Sequence, residues 1–444
     1  MQSVFEKMPI AAFLLGEQPI KAEALYRRAS FCVLCNAFGV NIAYNALTKE
    51  LCELSEAQAR LLSQSEVKAD GDSAELIRSY FLVPKDQDER KLCDGVAAFA
   101  RAAKKSEGYR DFTVFTTTEC NARCFYCYEN DCERVSMSEE TAQKTAQFIA
   151  DSSRGKAVTL TWYGGEPLMN TRAIDIITGM LSERGTEFTS VLATNASLLT
   201  DELIRHAKEK WHLDKVQVTL DGTAEVYERI KAYTDRKNAF SDVLCNIEKL
   251  ASSGIRINIR LNVDTHNIDD MYSLCDLLAD RFGGTQGLNV YAALLFDCEG
   301  AKRPISQCDR TALARRVIEF EDSLMEKGIL KPRKLSNTPA TVFCKADSPA
   351  SLVIRADGSL TKCDFYTDTH TVGDVYSGVC KEREMAEMNS FAERVDCDGC
   401  SAYPICLRKR GCPTGGCDEA RRYITEQRLV RSIMYAYRAA KEDK

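Results

Sequence analysis

Between Phe112 and about Lys327 the chain alternates two hydrophobic rhythms. Short β-rich runs fall at Phe112–Thr117, Val158–Trp162, Phe188–Thr194, Lys215–Leu220, Ile255–Val263 and Leu288–Leu295. Between them lie amphipathic stretches near Ala173–Glu183, Asp201–Lys210, Phe240–Ala251, Asp269–Asp280 and Asp309–Lys327. One more starts at Ser136 or Ser138, either of which can cap a helix ahead of Glu139 and Glu140. Strict β-α alternation predicts an α/β fold with a parallel sheet and its helices outside. A closed eight-unit barrel takes about 250 residues, so six units predict an open, partial (β/α)6 TIM-like barrel.

The flanks follow other rules. Upstream, Phe31–Tyr44 reads as strand with Gly39 inside it, Asn45–Glu50 as a turn and Leu51–Leu54 as strand again. Ser55–Ser63 and Ala74–Tyr80 read as helix and Phe81–Val83 as strand, before the charged run Lys85–Lys91. Short helices beside a short sheet predict a compact winged-helix-like module over residues 1–105, ahead of a barrel over 106–327. Residues 328–444 are rich in cysteine and end in a helix from about Asp418, where Ile424, Leu429, Ile433 and Tyr437 recur at roughly helical spacing. Ala356-Asp357-Gly358-Ser359 reads as a tight turn between two short strands, which would bring Cys344 and Cys363 together.

At 444 residues the chain is too long for one ordinary domain. Its 45% hydrophobic and 28% charged residues are those of a soluble globular protein, and a net charge of −6 argues against a protein built around phosphate binding. No nucleic-acid partner is expected. No apolar run approaches the ~20 residues of a membrane helix, and Pro9–Leu15 is too short for a secretory signal, so no membrane is expected and the cytoplasm is the expected location.

Cysteine changes the picture: there are 20, against 4 histidines. In a reducing compartment clustered cysteines more often bind metal than pair. With only His206, His212, His266 and His370 to add, any metal must be held mostly by thiolate, which suits iron–sulfur clusters or zinc.

The sharpest cluster is Cys120-x-x-x-Cys124-x-x-Cys127, directly after the first expected strand. Strand ends face the active site of a barrel. Three thiolates can hold three irons of a four-iron cluster and leave the fourth open, which separates a reactive metal site from a closed structural one. Zinc, with Cys132 nearby, and simple packing are the alternatives. Cys32-x-x-Cys35 reads differently. Residues three apart on a strand point to opposite faces, so this pair reads as core packing, as do Cys52, Cys93, Cys245, Cys275 and Cys298.

The spacing of Cys120, Cys124 and Cys127, with Tyr126 just before the last, resembles the signature of the radical S-adenosylmethionine (SAM) superfamily. The resemblance implies that the cofactor's amino and carboxylate groups chelate the open iron. An electron from the cluster then cleaves the sulfonium, and the resulting 5′-deoxyadenosyl radical takes a substrate hydrogen. Gly164, Gly165 and Glu166 follow the second strand and resemble the family's glycine-rich segment, where backbone and carboxylate meet the cofactor's ammonium group. Asn195 follows the third strand. Thr219 and Asp221 close the fourth, where family members often place a ribose contact. Arg260 on the fifth suits the cofactor carboxylate, and Tyr126 would pack near the adenine. Ala196 stands where the family commonly has glycine, and Thr219 where it commonly has serine.

Downstream, Cys344, Cys363, Cys397-x-x-Cys400-x5-Cys406, Cys412 and Cys417 resemble the SPASM extension of radical enzymes that modify peptides and proteins. That implies two auxiliary four-iron clusters and three [4Fe-4S] clusters in all. Cys344, Cys363 and Cys412 would serve the first, completed by Cys308, by Cys380 or by nothing. Cys397, Cys400, Cys406 and Cys417 would serve the second. The gap between Cys406 and Cys412 is longer than the family's, and a pair of structural zinc sites is the alternative. Residues 1–105 resemble in architecture the leader-recognition modules of peptide-modifying members, which add the precursor's leader to their sheet as a strand. A structural cap on the barrel is the alternative.

The resemblance therefore implies a radical SAM peptide-modifying oxidoreductase. Its substrate would be a ribosomally made precursor peptide with a leader, its product a thioether or carbon–carbon crosslink, and its electron donor of flavodoxin or ferredoxin type. The rivals are a sulfatase-maturase-like enzyme that oxidises a protein Cys or Ser to formylglycine, and a non-catalytic iron–sulfur electron carrier. No catalytic acid or base is legible.

Overall fold

The computed structural model describes every residue except 5–8, 22, 104–107, 131, 296–309, 343, 366–369, 391–396, 409–411, 413–416 and 443–444. Six barrel strands pair in parallel and in chain order: β1 Asp111–Thr117, β2 Val158–Gly164, β3 Phe188–Thr194, β4 Leu213–Leu220, β5 Arg256–Val263 and β6 Leu288–Leu294. Helices Glu139–Ser152, Thr171–Glu183, Asp201–Lys210, Ala239–Ser252, Ile268–Phe282 and Arg310–Glu326 alternate with them as the periodicity predicts. Of the two candidate caps, Ser138 takes the role, its hydroxyl accepting from the Thr141 N–H at 3.0 Å. Ser136 instead bonds the Thr117 hydroxyl at 2.7 Å. A seventh helix, Ala224–Lys231, was not foreseen from the sequence.

The strands alternate although they are parallel. On β2, Val158, Leu160 and Trp162 are buried in the core shared with the helices, while Thr159, Thr161 and Tyr163 are half-buried. On β4, Val216, Val218 and Leu220 are buried and Lys215, Gln217 and Thr219 half-buried. A parallel sheet packed on both faces carries apolar residues on both. The polar second face of these strands lines the barrel interior, where the Lys345 ammonium donates to Thr161 Oγ1 at 3.0 Å and the Tyr291 hydroxyl to Gln217 Oε1 at 2.8 Å.

The sheet continues past β1. A hairpin of Ser351–Ile354 and Ser359–Thr361 turns through Gly358 (φ +88°), and its first strand lies parallel to β1 with Ile354 opposite Val114. Thr371–Asp374 and Gly378–Val379 extend the same sheet. The cysteine-rich region is thus built onto the barrel by backbone hydrogen bonds, with Cys344 and Cys363 on either side of the hairpin.

The N-terminal region holds two small antiparallel sheets. Phe31–Tyr44 is not one strand: Cys32–Ala37 and Val40–Asn45 form a hairpin. Phe38 (φ +52°) and Gly39 (φ +79°) make its turn, with both central residues left-handed as a tight hairpin requires. Gly39 marks that turn, but Phe38, apolar and 73% exposed, disguises it. The charged run Lys85–Lys91 leads into an unforeseen helix, Glu89–Ala103.

The C-terminal helix Glu419–Glu442 joins the parts. Ile424 enters the barrel core. Leu429, Ile433 and Tyr437 enter the core of the N-terminal module, together with Cys400, Ala402 and Tyr403. The helix also clamps the last barrel helix, where Arg428 and Arg431 both bond Glu321, which is 3% exposed. The first module therefore shares its core with the C-terminal segment. Among the described residues no helix is long and apolar enough to cross a membrane.

Candidate functional site

Cys120, Cys124 and Cys127 leave β1 in a loop that borders a cavity of about 190 Å³. Of the candidate cofactor residues, Tyr126, Gly164, Gly165, Asn195, Thr219 and Arg260 line the same cavity; Glu166 and Asp221 do not. The cysteine loop is tightly turned. The Cys127 N–H donates to the Cys124 carbonyl at 3.1 Å, and the Ala122 N–H donates to Cys120 Sγ at 3.3 Å. Burial pushes the Cys120 and Cys127 thiols up to about 12 and raises that of Cys124, so metal entering this site must displace protons. Cys132 does not reach the cavity lining. Among the described residues no fourth thiol borders the cavity, and no three such side chains stand close enough to hold a single metal ion, so the donor set suits a larger four-iron cluster with one iron left to a non-protein ligand.

The two glycines seat that loop. A Cβ on Gly164 would meet the Thr117 carbonyl oxygen at 2.1 Å, and one on Gly165 would meet that of Glu119 at 2.3 Å. The Gly165 N–H donates to Thr117 at 3.1 Å and the Glu166 N–H to Glu119 at 2.8 Å. Glu166 itself is fully buried. Its carboxylate accepts from the Leu168 N–H (3.2 Å), the Thr194 hydroxyl (2.7 Å) and the Asn195 N–H (2.8 Å). Both oxygens are thereby engaged, tying β2 to β3, and burial raises the pKa of the group despite these donors. Asn195 donates in turn to Asn121 Oδ1 at 2.8 Å, so the end of β3 also holds the cysteine loop. Ala196 has φ +64° and is fully buried, a conformation glycine adopts freely.

Beneath Tyr126 lies a network that the sequence did not disclose. Its hydroxyl reaches both oxygens of Asp221, at 3.0 and 2.9 Å. The Asn262 amide donates to Tyr126 and to Asp221, each at 3.0 Å, and Arg260 Nε donates to Asn262 Oδ1 at 2.9 Å. The Lys231 ammonium pairs with Asp221 at 2.9 Å. Burial alone would lower the Lys231 pKa, but Asp221 and the groups around it hold it well above its usual value.

The opposite wall is aromatic. Tyr163 and Tyr128 stand beside Phe365, which follows Cys363 by two residues, and the Tyr128 and Phe365 rings lie 4.5 Å apart. Glu129 shares this wall at 2% exposure; burial pushes it up to about 7, and its Oε1 has no hydrogen-bond partner among the described residues. Its only mark in the sequence is its place two residues after Cys127.

Residues 114–278 match the model of the radical SAM superfamily. That segment is a radical SAM domain. It is 23% identical over 337 residues to a cysteine-type anaerobic sulfatase-maturating enzyme of Clostridium novyi, covering 67% of this chain and 85% of that one. A serine-type enzyme of the same description from Bacteroides thetaiotaomicron is 29% identical over 162 residues, covering 34% and 38%. The Fe-coproporphyrin III synthase of Methanosarcina barkeri is 26% identical over 195 residues, covering 44% and 46%. The match thus spans less than half the length of the last two. The fold is shared with anSMEcpe solved with bound AdoMet and a peptide (TM-score 0.57, 15% identity, 75% of this chain and 100% of that one). It is shared also with Streptococcus suis SuiB bound to precursor peptide SuiA (TM-score 0.53, 11% identity, 89% and 99%).

The remaining cysteines outside the radical SAM domain's loop fall into groups. Cys397, Cys400, Cys406 and Cys417 line one small cavity with Arg408 and Arg422. Cys344 and Cys412 lie close enough to Cys363 to add to the effect of burial, which takes its thiol up to about 12. Cys380 follows the strand Gly378–Val379; Cys308 and Cys298 lie outside the described residues. Cys32, Cys52, Cys93 and Cys275 are buried and Cys35 half-buried, as packing predicts. Cys245 is exposed instead. It sits on the outer face of the helix Ala239–Ser252, where its sulfur accepts from the Arg281 guanidinium at 3.6 Å.

Proposed function

We propose that this radical SAM protein is a SPASM-type maturase that installs a thioether or carbon–carbon crosslink in a ribosomally made precursor peptide. One observation carries the reading. Phe365 of the cysteine-rich region and the three cysteines of the loop border the same cavity, so a substrate at the loop also touches the segment after Cys363. An electron carrier has no use for such a cavity, nor for Asn195, Thr219 and Arg260 around it.

The cluster and S-adenosylmethionine, once bound, would supply the radical that takes a substrate hydrogen. The chain's own part is to hold and orient. Cys120, Cys124 and Cys127 would hold the cluster. Gly164 and Gly165 let the backbone approach, and Asn195, Thr219 and Arg260 would orient the cofactor. Tyr128, Tyr163 and Phe365 exclude water from the reacting end. Cys344, Cys363 and Cys412, and the set Cys397, Cys400, Cys406 and Cys417, would hold two auxiliary clusters. The N-terminal module would take the leader on the outer strand of its sheet, Cys32–Ala37. The likeness to a protein solved with its precursor peptide supports a peptide substrate.

A sulfatase-maturase reading is favoured by the Clostridium novyi relative, which the match covers over 85% of its length. One experiment separates the two. Anaerobically reconstituted full-length protein is given reductant, S-adenosylmethionine and either a cysteine-rich leader-bearing peptide or a sulfatase-derived peptide, and the products are weighed. Loss of two hydrogens from the first, without formylglycine in the second, is expected. Formylglycine in the second would replace the proposal. The full chain is required because the module's core is completed by the C-terminal helix.

A further inference from the structure

A cation that no motif announces sits under the cysteine loop. Lys231 ends the helix Ala224–Lys231 with 3% of its side chain exposed. Its ammonium group has three hydrogens and three acceptors: Thr219 Oγ1 at 2.7 Å, Asp221 Oδ2 at 2.9 Å and the Tyr126 hydroxyl at 3.3 Å. It borders the cavity yet has no donor left for a ligand. Its backbone acts in the same place. The Arg123 N–H donates to the Lys231 carbonyl at 2.8 Å, and the Thr234 N–H donates to the Asn121 carbonyl at 2.8 Å. The Asn121 amide reaches Asp235 at 3.1 Å. Ala232, left-handed at φ +45°, turns the chain out of the helix so that these bonds can form. The segment from Lys231 to Asp235 thus grips the cysteine loop from Asn121 to Tyr126.

The two side chains that Lys231 bridges come from distant parts of the chain. Tyr126 belongs to the cysteine loop and Thr219 to the end of β4. Both line the cavity. Asn262 bonds Tyr126 and Asp221, whereas among the described residues Lys231 alone bonds Tyr126, Thr219 and Asp221 together.

We propose that Lys231 is the positioning residue of this site: it fixes the Tyr126 ring and the Thr219 hydroxyl relative to each other and to the three thiols, so that the nucleoside end of S-adenosylmethionine meets a preformed surface. Asp221 then serves as its buried counter-charge and not as a ribose contact. The inference rests on the reading of the cavity as the cofactor's. A residue acting through the groups that touch a ligand typically changes affinity tenfold or more when removed.

The test is equilibrium binding of S-adenosylmethionine to anaerobically reconstituted, unreduced full-length protein, so that no turnover intervenes. Lys231→Met alone would leave Asp221 buried and unpaired, which is strongly destabilising. The informative variant is therefore the double change Lys231→Met/Asp221→Asn, beside Tyr126→Phe, which keeps the ring. With wild-type iron content, the double variant should bind about tenfold more weakly or worse. Adding Tyr126→Phe to it should cost little more, because both act on one contact. Wild-type affinity in the double variant, or full additivity with Tyr126→Phe, overturns the proposal. Should the double variant lose its iron, Tyr126→Phe and Thr219→Val carry the test, and wild-type affinity in both overturns it. Failure of the wild-type protein to bind at all would instead overturn the reading of the cavity.

Discussion

The Tyr403 hydroxyl donates to the Asp94 carboxylate at 3.1 Å, and so joins the second C-terminal cysteine set to the N-terminal module. Tyr403 lies between Cys400 and Cys406, and Cys400 and Ala402 are buried in the same core as Leu51, Phe81 and Ile433. The module and this cysteine segment therefore share their stability. Ile433→Ala should cost about 2–5 kcal/mol through the cavity it leaves. Hydrogen exchange in that variant should accelerate together in residues 32–54 and 397–406, before the barrel strands respond. Acceleration confined to the module would show that the two are not one unit.

Ala196 offers a local test of the backbone. At φ +64° with no exposed surface, it tolerates glycine but no branched side chain. Ala196→Gly should stay within about 1 kcal/mol of the wild type, since relief of the left-handed conformation offsets the lost methyl. Ala196→Val should lose several times as much, combining strain with overpacking. Thermal unfolding of the two variants decides the matter; equal midpoints would contradict the account.

Acid should loosen the cysteine-rich region from the barrel through Glu384. Its carboxylate accepts from the Tyr109 hydroxyl at 2.9 Å and pairs with Lys381 at 2.8 Å and Lys362 at 3.5 Å. Burial raises its pKa, but Lys381, Lys362 and Tyr109 outweigh burial and hold it below the usual value. A group depressed in the folded state adds stability that is complete above the unfolded value, about 4.3 for Glu, and is lost as pH falls through the folded one. Glu384→Gln should therefore lower stability at neutral pH and flatten its fall below about pH 4.5. Urea midpoints at both ends of that range check this; parallel curves would contradict it.

The thiol groups predict metal content. Three four-iron clusters require about twelve irons per chain. Alanine at Cys120, Cys124 and Cys127 should remove about four, and alanine at Cys397, Cys400, Cys406 and Cys417 a separate four or so. Elemental analysis showing zinc at the latter set would end the auxiliary-cluster reading.

The β-α units were legible because the apolar outward faces of β2 and β4 recur at every second residue and the helices between them at helical spacing. The cysteine loop was legible because its three cysteines are neighbours in sequence. Lys231 was not, since its meaning lies in partners at 126, 219 and 221 that only the fold assembles. Glu166 and Asp221 show a related limit. Their positions at strand ends pointed to the site, but sequence does not tell which way a side chain turns, and both turn into the protein. The helix Glu89–Ala103 was hidden because Leu92, Val96 and Ala100 stand among charged neighbours at its start.

Cys120, Cys124 and Cys127 are expected to hold a cluster that cleaves S-adenosylmethionine. Anaerobically reconstituted full-length protein, reduced and supplied with S-adenosylmethionine, should release 5′-deoxyadenosine and methionine, while the variant with alanine at these three positions should release neither. No 5′-deoxyadenosine from wild-type protein carrying its full iron complement would contradict the account.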